Sequence, residues 1–530
     1  MIQRLVVTTL GTLILLGTGF VASSTFRPPS AESREAPDSV FSGERAHDRL
    51  VSLLPTDEPR PAGSRGLEAF RQRLLAEIED LGLPARTDTF DICISDDAQC
   101  LLGVNILTDL KGSNELPQIV VTAHIDAARG SPGAGDNAAS VATILELART
   151  LGLQTGPQPP VRFVFTDGEE MGGLGARHYF RSESPPSDLV VNVDGSGTSG
   201  PSRIVRIGPK ASWLVREMIE EARLPLVNSA RQSLFRLAGG STDFTPALEA
   251  GRTGVDFTFI GSRWNWHQPT DARDSVSTAT LQHHGESVLA AIVAVREAES
   301  AHRVEHLFAT VAPGVVVTWR QGLPFYALIF FIGCTCAWGL IVQHGLGISR
   351  LVTDFGIVVG ALSLGLASGY ITVKIIGLAT AAQPLYPQST WPWRLGFYVT
   401  PWLAVASVGL LTRAFTLGRA SALGMTLVFV GLGLALLGDP HVAYPFVLAA
   451  GGVSLGVIAM LVMPVRSHGF VASAVGAWVA LIFLPFAIIG EITYGLRSTV
   501  QIVLPATVAM VGLLPLLGIW QTDRPTRPSD

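Results

Sequence analysis

The side chains that could do chemistry follow apolar runs of the chain, at the points where predicted strands end. Histidine and acidic residues follow four such runs, and a glycine-rich loop delivers a further aspartate to the start of a helix. These positions are His124, Asp126, Asp136, Glu169, Glu170, Asp194 and His267. Imidazole and carboxylate groups are metal ligands and also the commonest general acids and bases. The pattern therefore indicates a metal site, acid–base catalysis, or both.

The elements that must position these residues are strands alternating with helices. Apolar, β-branched runs predict buried strands at 118–123, 161–166, 189–193 and 255–260. Helical patterns lie between them, at 137–153, 175–181 and 212–222. This alternation predicts an α/β fold, a mixed, largely parallel sheet with helices on both faces. Since ligands bind beyond the carboxyl ends of such strands, we expect the polar residues to converge on one rim.

Taken singly, each of these residues also has a structural interpretation. Asp136 could cap the helix that follows it, and Glu169 with Glu170 could be a solvated helix start. Together, however, several acids on one rim would repel one another unless a cation neutralised them. Two histidines with three or more carboxylates suit Zn²⁺, which accepts nitrogen and oxygen ligands. There is no HExxH motif, so the zinc protease design built on a single helix is excluded.

Five separated motifs resemble the di-zinc aminopeptidases of metallopeptidase family twenty-eight. They are His124-x-Asp126, Gly135-Asp136-Asn137, Asp167-Gly168-Glu169-Glu170, the Gly172–Gly175 stretch and the late His267. The resemblance covers about residues 46–300. The layout of the whole chain is similar to the endoplasmic reticulum metallopeptidase branch, which the stretches at 241–244 and 254–261 also support. Two departures stand out, because Asp194 and Trp266 occupy positions where that branch often has Glu and Tyr.

The resemblance implies two zinc ions per chain and a peptide substrate with a free N-terminus. One ion would be held by His124 and Asp194, and the other by Glu170 and His267, with Asp136 bridging them. Glu169 would act as the general base on a water molecule. Asp126 would orient His124 from behind. Two roles remain open for Asp243, binding of the substrate amine or a purely structural one.

Two other classes of protein stay open at this point. Glutaminyl cyclases share this fold and a similar Asp-Gly-Glu-Glu stretch, but work with one zinc ion. The other alternative is a receptor or transporter without enzymatic activity that carries a peptidase-like domain. The complete set of five ligands favours the peptidase, and Lys374 within an apolar helix keeps a transport role in view.

The last part of the chain has the composition of a membrane domain. Only 14 of the charged residues lie at positions 321–530, and this part carries a net charge of +4 against −9 for the first 320 residues. Seven apolar stretches of about 20 residues are candidate membrane spans. They lie at about 323–345, 354–380, 396–412, 420–437, 441–463, 469–492 and 499–520. The acidic front part, with no basic cluster, argues against nucleic-acid binding. Nothing in the sequence indicates a protein partner.

An eighth apolar run, residues 5–23, is predicted to be an uncleaved anchor, although a cleaved signal peptide is the alternative. Orientation follows from the arginines in short loops. A cytoplasmic N-terminus places seven arginines inside and three outside, and therefore puts the front domain on the exoplasmic (periplasmic, extracellular or lumenal) side. The predicted order is an anchor at 1–24, a linker at 25–45, a peptidase domain at 46–300, a juxtamembrane segment at 301–322, seven spans within 323–520 and a cytoplasmic tail at 521–530.

Remaining cysteine and histidine residues lie away from the predicted strand ends. Cys93 and Cys100 lie seven positions apart, and either a loop-closing disulfide or two free thiols fits that spacing. Cys334 and Cys336 are interpreted as apolar packing residues within a span. His283 and His284 are interpreted as surface residues, as are the histidines at 178, 302 and 306.

Overall fold

The computed structural model divides the chain into two compact units, Thr25–Arg320 and Met1–Ser24 with Gln321–Asp530. We call the first the mixed-sheet unit and the second the helical unit. The residues described are 25–93, 100–113, 115–154, 158–182, 189–237, 239–296, 305–320, 323–344, 348–379, 391–412, 416–436, 440–494 and 499–516, with positions 9, 13, 17, 20 and 24. The possible cleavage site near 21–23 and the tail at 521–530 lie outside this description.

The mixed-sheet unit is built on one seven-stranded sheet with the strand order β1-β2-β4-β3-β5-β7-β6. Its strands are β1 Ala85–Ile92, β2 Leu101–Leu110, β3 Ile119–His124, β4 Val161–Thr166, β5 Leu189–Gly195, β6 Arg203–Ile207 and β7 Thr253–Phe259. The four neighbouring strands β4, β3, β5 and β7 are mutually parallel, whereas β1, β2 and β6 pair antiparallel at the two sides. The predicted α/β fold with a mixed, largely parallel sheet is confirmed.

Eight helices belong to the described part of this unit. They are α1 Gly43–Leu53, α2 Arg65–Asp80, α3 Ala139–Gly152, α4 Leu174–Ser182, α5 Ser212–Glu221, α6 Ser229–Leu237, α7 Phe244–Glu249 and α8 Thr278–Ala294. The hydroxyls of Ser42 and Ser64 cap α1 and α2 by accepting hydrogen bonds from backbone N–H groups of the first turn. Two separate buried clusters pack against the sheet, a large one that includes Phe163 and a small one that includes Tyr179.

The pairing between the parallel strands brings their carboxyl ends to one edge of the sheet. His124, the last residue of β3, pairs with Thr166, the last residue of β4. Thr122 of β3 pairs with Asn192 of β5, two residues before Asp194. Because residues two apart on a strand share a face, this pairing places His124 and Asp194 side by side at the same edge.

The segment before α1 is held against the mixed-sheet unit. The Arg45 side chain donates to the backbone carbonyls of Arg34 and Ala36, and its Nε lies 2.8 Å from Glu146 Oε1. Further along, a guanidinium N–H of Arg203 donates to the carbonyl of Thr25. Residues 25–45, predicted as a linker, therefore make polar contacts with the folded unit.

Two details of the mixed-sheet unit bear on the sequence analysis. Cys93 and Cys100 form a disulfide, the first of the two alternatives. His283 and His284 are buried, so their interpretation as surface residues is wrong. His284 lies between the hydroxyls of Ser202 and Ser140, and its ring meets Phe259 edge-on. The interpretation failed because α8 is buried on more than its apolar face.

A short hairpin closes the mixed-sheet unit. Its strands are β8 His306–Ala312 and β9 Val315–Arg320, which pair antiparallel. Phe308 of β8 is buried in the main core, and the backbone N–H of Phe308 donates to the Ser229 hydroxyl. The hairpin therefore belongs to the folded unit.

The helical unit contains a helix at each of the seven predicted spans. Its helices are α9 Leu323–His344, α10 Ile348–Ala379, α11 Trp391–Arg394, α12 Thr400–Thr412, α13 Leu417–Leu436, α14 Pro440–Val462, α15 His468–Tyr494 and α16 Thr499–Leu516. A π-turn at Leu395–Val399 joins α11 to α12. Within the described residues, five helical stretches are long and apolar enough to cross a membrane, and two shorter apolar stretches lie at Ala327–Gln343 and Ile502–Leu514. Helices able to span a membrane are therefore present, while the total of eight spans stays a prediction.

Two pairs of oppositely charged residues lie within the described part of the helical unit. Glu491 is buried and accepts hydrogen bonds from Arg394 Nε and the Tyr398 hydroxyl, each at 2.8 Å. Arg419 Nε lies 3.5 Å from Asp354 Oδ1. Lys374 is exposed, and its ammonium lies 5.4 Å from the centre of the Tyr370 ring. This position fits local packing of Lys374, and its transport role stays a prediction.

Candidate metal centre

The first group of possible metal ligands lies where β3 and β5 end. His124 Nε2 is 3.0 Å from Asp136 Oδ1 and 3.7 Å from Asp194 Oδ1. All three side chains are buried, and their ligand atoms lie within 4.8 Å of one another. Three ligand atoms at this separation can hold one metal ion.

The second group shares Asp136 with the first. His267 Nε2 lies 3.2 Å from Asp136 Oδ2 and 3.1 Å from Glu170 Oε2. The two oxygens of the Asp136 carboxylate therefore face different histidines, Oδ1 toward His124 and Oδ2 toward His267. This division is the geometry that a carboxylate bridging two metal ions requires.

The electrostatics of the two histidines show how much negative charge surrounds them. Burial opposes protonation of His124, yet hydrogen bonds to Asp126, Asp136 and Asp194 raise its pKa well above the ordinary value. Burial likewise opposes protonation of His267, but Asp136 and Glu170 raise its pKa to about 10. Without another cation, the cluster thus draws protons onto its imidazoles.

Burial and the neighbouring negative charges raise the pKa of several acids in the cluster. Burial raises the pKa of Glu170 and Asp194, and the charge of Asp136 adds to the effect in both cases. Burial raises the pKa of Glu169 well above its ordinary value, and the neighbouring acids, Asp243 foremost, oppose its ionisation further. Glu170 Oε1 is buried without a hydrogen-bond partner among the described residues. A cation at this position would relieve both the repulsion and the unsatisfied oxygen.

Asp126 lies directly behind the cluster and is fully buried. Its carboxylate accepts hydrogen bonds from the backbone N–H groups of Glu169 and Glu170, at 3.0 and 3.1 Å. His124 Nδ1 lies 3.0 Å from the Asp126 backbone carbonyl and 3.5 Å from its carboxylate. Asp126 therefore contacts His124 mainly through its backbone, and its carboxylate fixes the turn that carries both glutamates.

The loop that carries Asp136 is shaped by two glycines and one asparagine. Gly133 has a φ of +66°, which favours glycine. Gly135 packs so closely on the carbonyl of Gly197 that a Cβ would collide with it. The side-chain amide of Asn137 donates to the carbonyl of Val193 in β5, at 2.9 Å. The loop therefore turns at Gly133, packs closely at Gly135 and is tied to the neighbouring strand by Asn137.

Two residues that the sequence analysis did not assign also hold this loop. Asp271 and Arg60 are both fully buried and contact the loop through its backbone. Asp271 stands four positions after His267, so its proximity to a candidate ligand in the sequence was a usable signal. Arg60 precedes the first predicted strand by nearly sixty residues, and nothing in its local sequence marks it.

Asp243 lies in the interior, 1% exposed, and accepts a hydrogen bond from the Thr166 hydroxyl. Its neighbour Thr242 donates to Asp256 Oδ2, at 3.0 Å, and Asp256 is also paired with Arg206. Of the two roles left open for Asp243, this burial favours the structural one. Binding of a substrate amine by Asp243 stays a prediction.

Trp266 packs on the most exposed of the candidate ligands. Its ring stacks on His267 with 3.6 Å between ring centroids, and the Arg263 guanidinium lies 4.5 Å from the centre of the Trp266 ring. His267 has a φ of +60°, an uncommon conformation for this residue. Trp266, noted as a departure from the resembled family, thus supports the His267 ring by stacking.

Comparisons with known proteins match part of this chain to peptidases. Residues 105–292 match the model of peptidase family M28. The endoplasmic reticulum metallopeptidase 1 of Mus musculus is 30% identical over 181 residues, which cover 33% of this chain and 20% of that protein. Aminopeptidase YwaD of Bacillus subtilis is 32% identical over 187 residues, covering 33% of this chain and 41% of that protein. The resemblance to family M28 is confirmed, and this chain spans only a fifth of the mouse protein in the match.

Solved structures with a related fold cover about half of the chain. The zinc aminopeptidase BSAP from Bacillus subtilis covers 48% of this chain and 95% of its own, with a TM-score of 0.39 and 16% identity. Glutaminyl cyclase from Fimbriiglobus ruber covers 51% of this chain and 99% of its own, with a TM-score of 0.38 and 20% identity.

Proposed function

We propose that this chain is a membrane-anchored, zinc-dependent aminopeptidase that removes N-terminal residues from peptides. The observation that carries the proposal is the shared carboxylate, because Asp136 presents one oxygen to His124 and the other to His267. A site for one metal ion needs only one such group. Here the group of His124, Asp136 and Asp194 lies beside a second group that also contains Asp136. Two adjacent groups with one common ligand support two ions per chain.

The residues fit zinc by their chemistry as well as their positions. Two imidazole nitrogens and three carboxylates form a mixed nitrogen and oxygen set, which zinc accepts. The unpartnered Glu170 Oε1 supplies a further oxygen near the second group. His124 and Asp194 would hold one ion, Glu170 and His267 the other, with Asp136 shared between them.

The reaction divides between the metal pair and this chain's own groups. When bound, the metal pair supplies Lewis acidity, which polarises the scissile carbonyl and makes a water molecule easier to deprotonate. Glu169 accepts the proton of that water and later donates it to the leaving amine. Burial raises the pKa of Glu169, which makes its carboxylate a stronger proton acceptor. Asp126 keeps Glu169 at this position through its hydrogen bond to the Glu169 N–H.

The helical unit gives the enzyme its place at the lipid bilayer. The five long apolar helices support a multi-pass membrane protein, and the match to endoplasmic reticulum metallopeptidase 1 supports a metallopeptidase. The arginine distribution of the sequence supports an exoplasmic position for the mixed-sheet unit, with both termini in the cytoplasm.

One experiment on the purified full chain separates this function from its alternatives. Metal analysis after zinc loading, with assays of amino-acid amide hydrolysis and of glutaminyl cyclisation, should give about two zinc ions per chain and hydrolysis. One ion with cyclisation would identify a glutaminyl cyclase instead. Binding of no metal, with neither activity, would leave only a receptor or transporter role.

A further inference from the structure

The Asp271 carboxylate accepts hydrogen bonds from the backbone of the loop that carries Asp136. Its Oδ1 accepts a hydrogen bond from the N–H of Gly135 at 2.6 Å, and its Oδ2 accepts one from the N–H of Asp136 itself at 3.1 Å. The Asp271 backbone carbonyl accepts a third, from the N–H of Ala134 at 3.0 Å. Three consecutive N–H groups are thus held by one residue, and both carboxylate oxygens are used.

The Arg60 guanidinium donates hydrogen bonds to backbone carbonyls in and before the same loop. Its Nε donates to the carbonyl of Pro132 at 2.9 Å, and its two terminal nitrogens donate to the carbonyls of Ile125 and Gly133. The guanidinium also lies 4.5 Å from the centre of the Phe70 ring, on helix α2. The planar fork of an arginine can reach three carbonyls in this way, whereas a lysine offers only a point charge.

The two contacts meet at the ends of one short stretch. The Arg60 side chain binds the carbonyls of residues 125, 132 and 133, and Asp271 binds the N–H groups of residues 134–136, so the backbone directly before Asp136 is held on both sides. Asp271 lies four residues after His267, and His267 Nε2 faces Oδ2 of Asp136. A shift of Asp271 would therefore disturb both Asp136 and the segment of His267.

We propose that Asp271 and Arg60 act as positioning residues that fix Asp136 where it can serve two metal ions at once. This inference rests on the proposed function, since it assumes that the site binds a metal pair. Its physical basis is that groups behind the ligands set the ligand orientation, and their loss commonly costs 10–100-fold in metal affinity. Because Asp136 is shared, losing the hydrogen bonds of Asp271 or Arg60 weakens the binding of both ions together rather than of one.

The test compares Asp271→Asn with Asp274→Asn in the full chain. Asp274 has an 86% exposed side chain three residues further along and pairs with Arg273 on the surface, so it is a matched control. An amide can accept only one of the two backbone N–H groups and turns its NH₂ toward the other. Zinc dissociation constants are measured by chelator competition on metal-free protein. We expect both constants to rise about 10–100-fold in Asp271→Asn and to stay at the wild-type value in Asp274→Asn.

A second readout separates positioning from a loss of stability. The visible absorption of the cobalt-saturated protein reports ligand geometry, and a residue that merely stabilised the fold would leave it unchanged. We expect the Asp271→Asn spectrum to differ from that of the wild type at full loading. An unchanged spectrum and unchanged zinc constants in a folded variant would overturn the inference.

Arg60→Lys keeps the test decisive if Asp271→Asn fails to fold. Lysine retains the positive charge but cannot reach the three carbonyls, so weaker binding of both ions is again expected. Wild-type affinity for zinc in Arg60→Lys would refute the positioning role of Arg60 and Asp271. Absence of metal binding by the wild-type chain would instead refute the proposed function, so the two failures are distinguishable.

Discussion

Glu169 and Glu170 are adjacent in sequence, yet the proposed function assigns them different roles, and exchanging each for glutamine tests that assignment. Glu170 Oε2 lies 3.1 Å from His267 Nε2 within the second ligand group. Glu169 belongs to neither ligand group. Both backbone N–H groups are held by Asp126, and glutamine leaves these two hydrogen bonds intact.

Glu169→Gln removes the proton acceptor without changing the size of the side chain. A positioned general base contributes about 10²–10⁴-fold to a rate, which corresponds to roughly 3–5 kcal/mol of the activation barrier. We expect the hydrolysis rate to fall by that factor and zinc content to stay at about two ions per chain. The turn itself should be unaffected, since Asp126 contacts only the Glu169 backbone through its hydrogen bond.

Glu170→Gln removes a charged ligand from the second group. The remaining members, Asp136 and His267, form too small a set to hold an ion tightly. We expect the second ion to be lost or to bind at least 100-fold more weakly, while His124 and Asp194 retain the first. The rate should fall because the metal pair is incomplete.

The assay measures zinc per chain and amide hydrolysis on the same preparations of both variants. Glu220→Gln, an exposed acid at the end of α5, serves as the control and should match the wild type. Equal loss of metal in Glu169→Gln and Glu170→Gln would refute the separate assignment of roles. Wild-type activity in both would refute the enzymatic function.

Two further predictions concern pH and topology. Burial lowers the pKa of His284 to about 3, below its value in the unfolded chain, so the unfolded state binds more protons as the pH falls from about 6.5. The free energy of unfolding should therefore fall by about 2 kcal/mol between pH 6.5 and pH 5 because of this group. The free energy of unfolding of His284→Gln should depend less on pH over the same range. A pH dependence equal to that of the wild type would contradict this reasoning. A reporter fused after Asp530 should be active only in the cytoplasm, and activity on the outer side alone would overturn the predicted orientation.

The sequence by itself determined the parallel centre of the sheet and the types of residue at its edge. The runs that became β3, β4, β5 and β7 are largely apolar and lack a regular polar alternation, because strands buried on both faces need none. The antiparallel strands were not predicted. β1 carries exposed polar residues, and β6 contains two buried arginines, of which Arg206 is neutralised by Asp256 on β7. Such a pairing cannot be read from either strand alone.

Tertiary structure alone decided how the site is held together. Asp136 is recognisable from its motif, but the division of its two oxygens between His124 and His267 depends on contacts across more than a hundred residues. Arg60 and Asp271 reach the Asp136 loop from opposite directions along the chain and contact only its backbone. Backbone contacts leave no complementary side-chain pattern in the sequence. The candidate ligands could therefore be named from residue type and order, whereas the hydrogen bonds of Arg60 and Asp271 to the Asp136 loop became visible only in the folded chain.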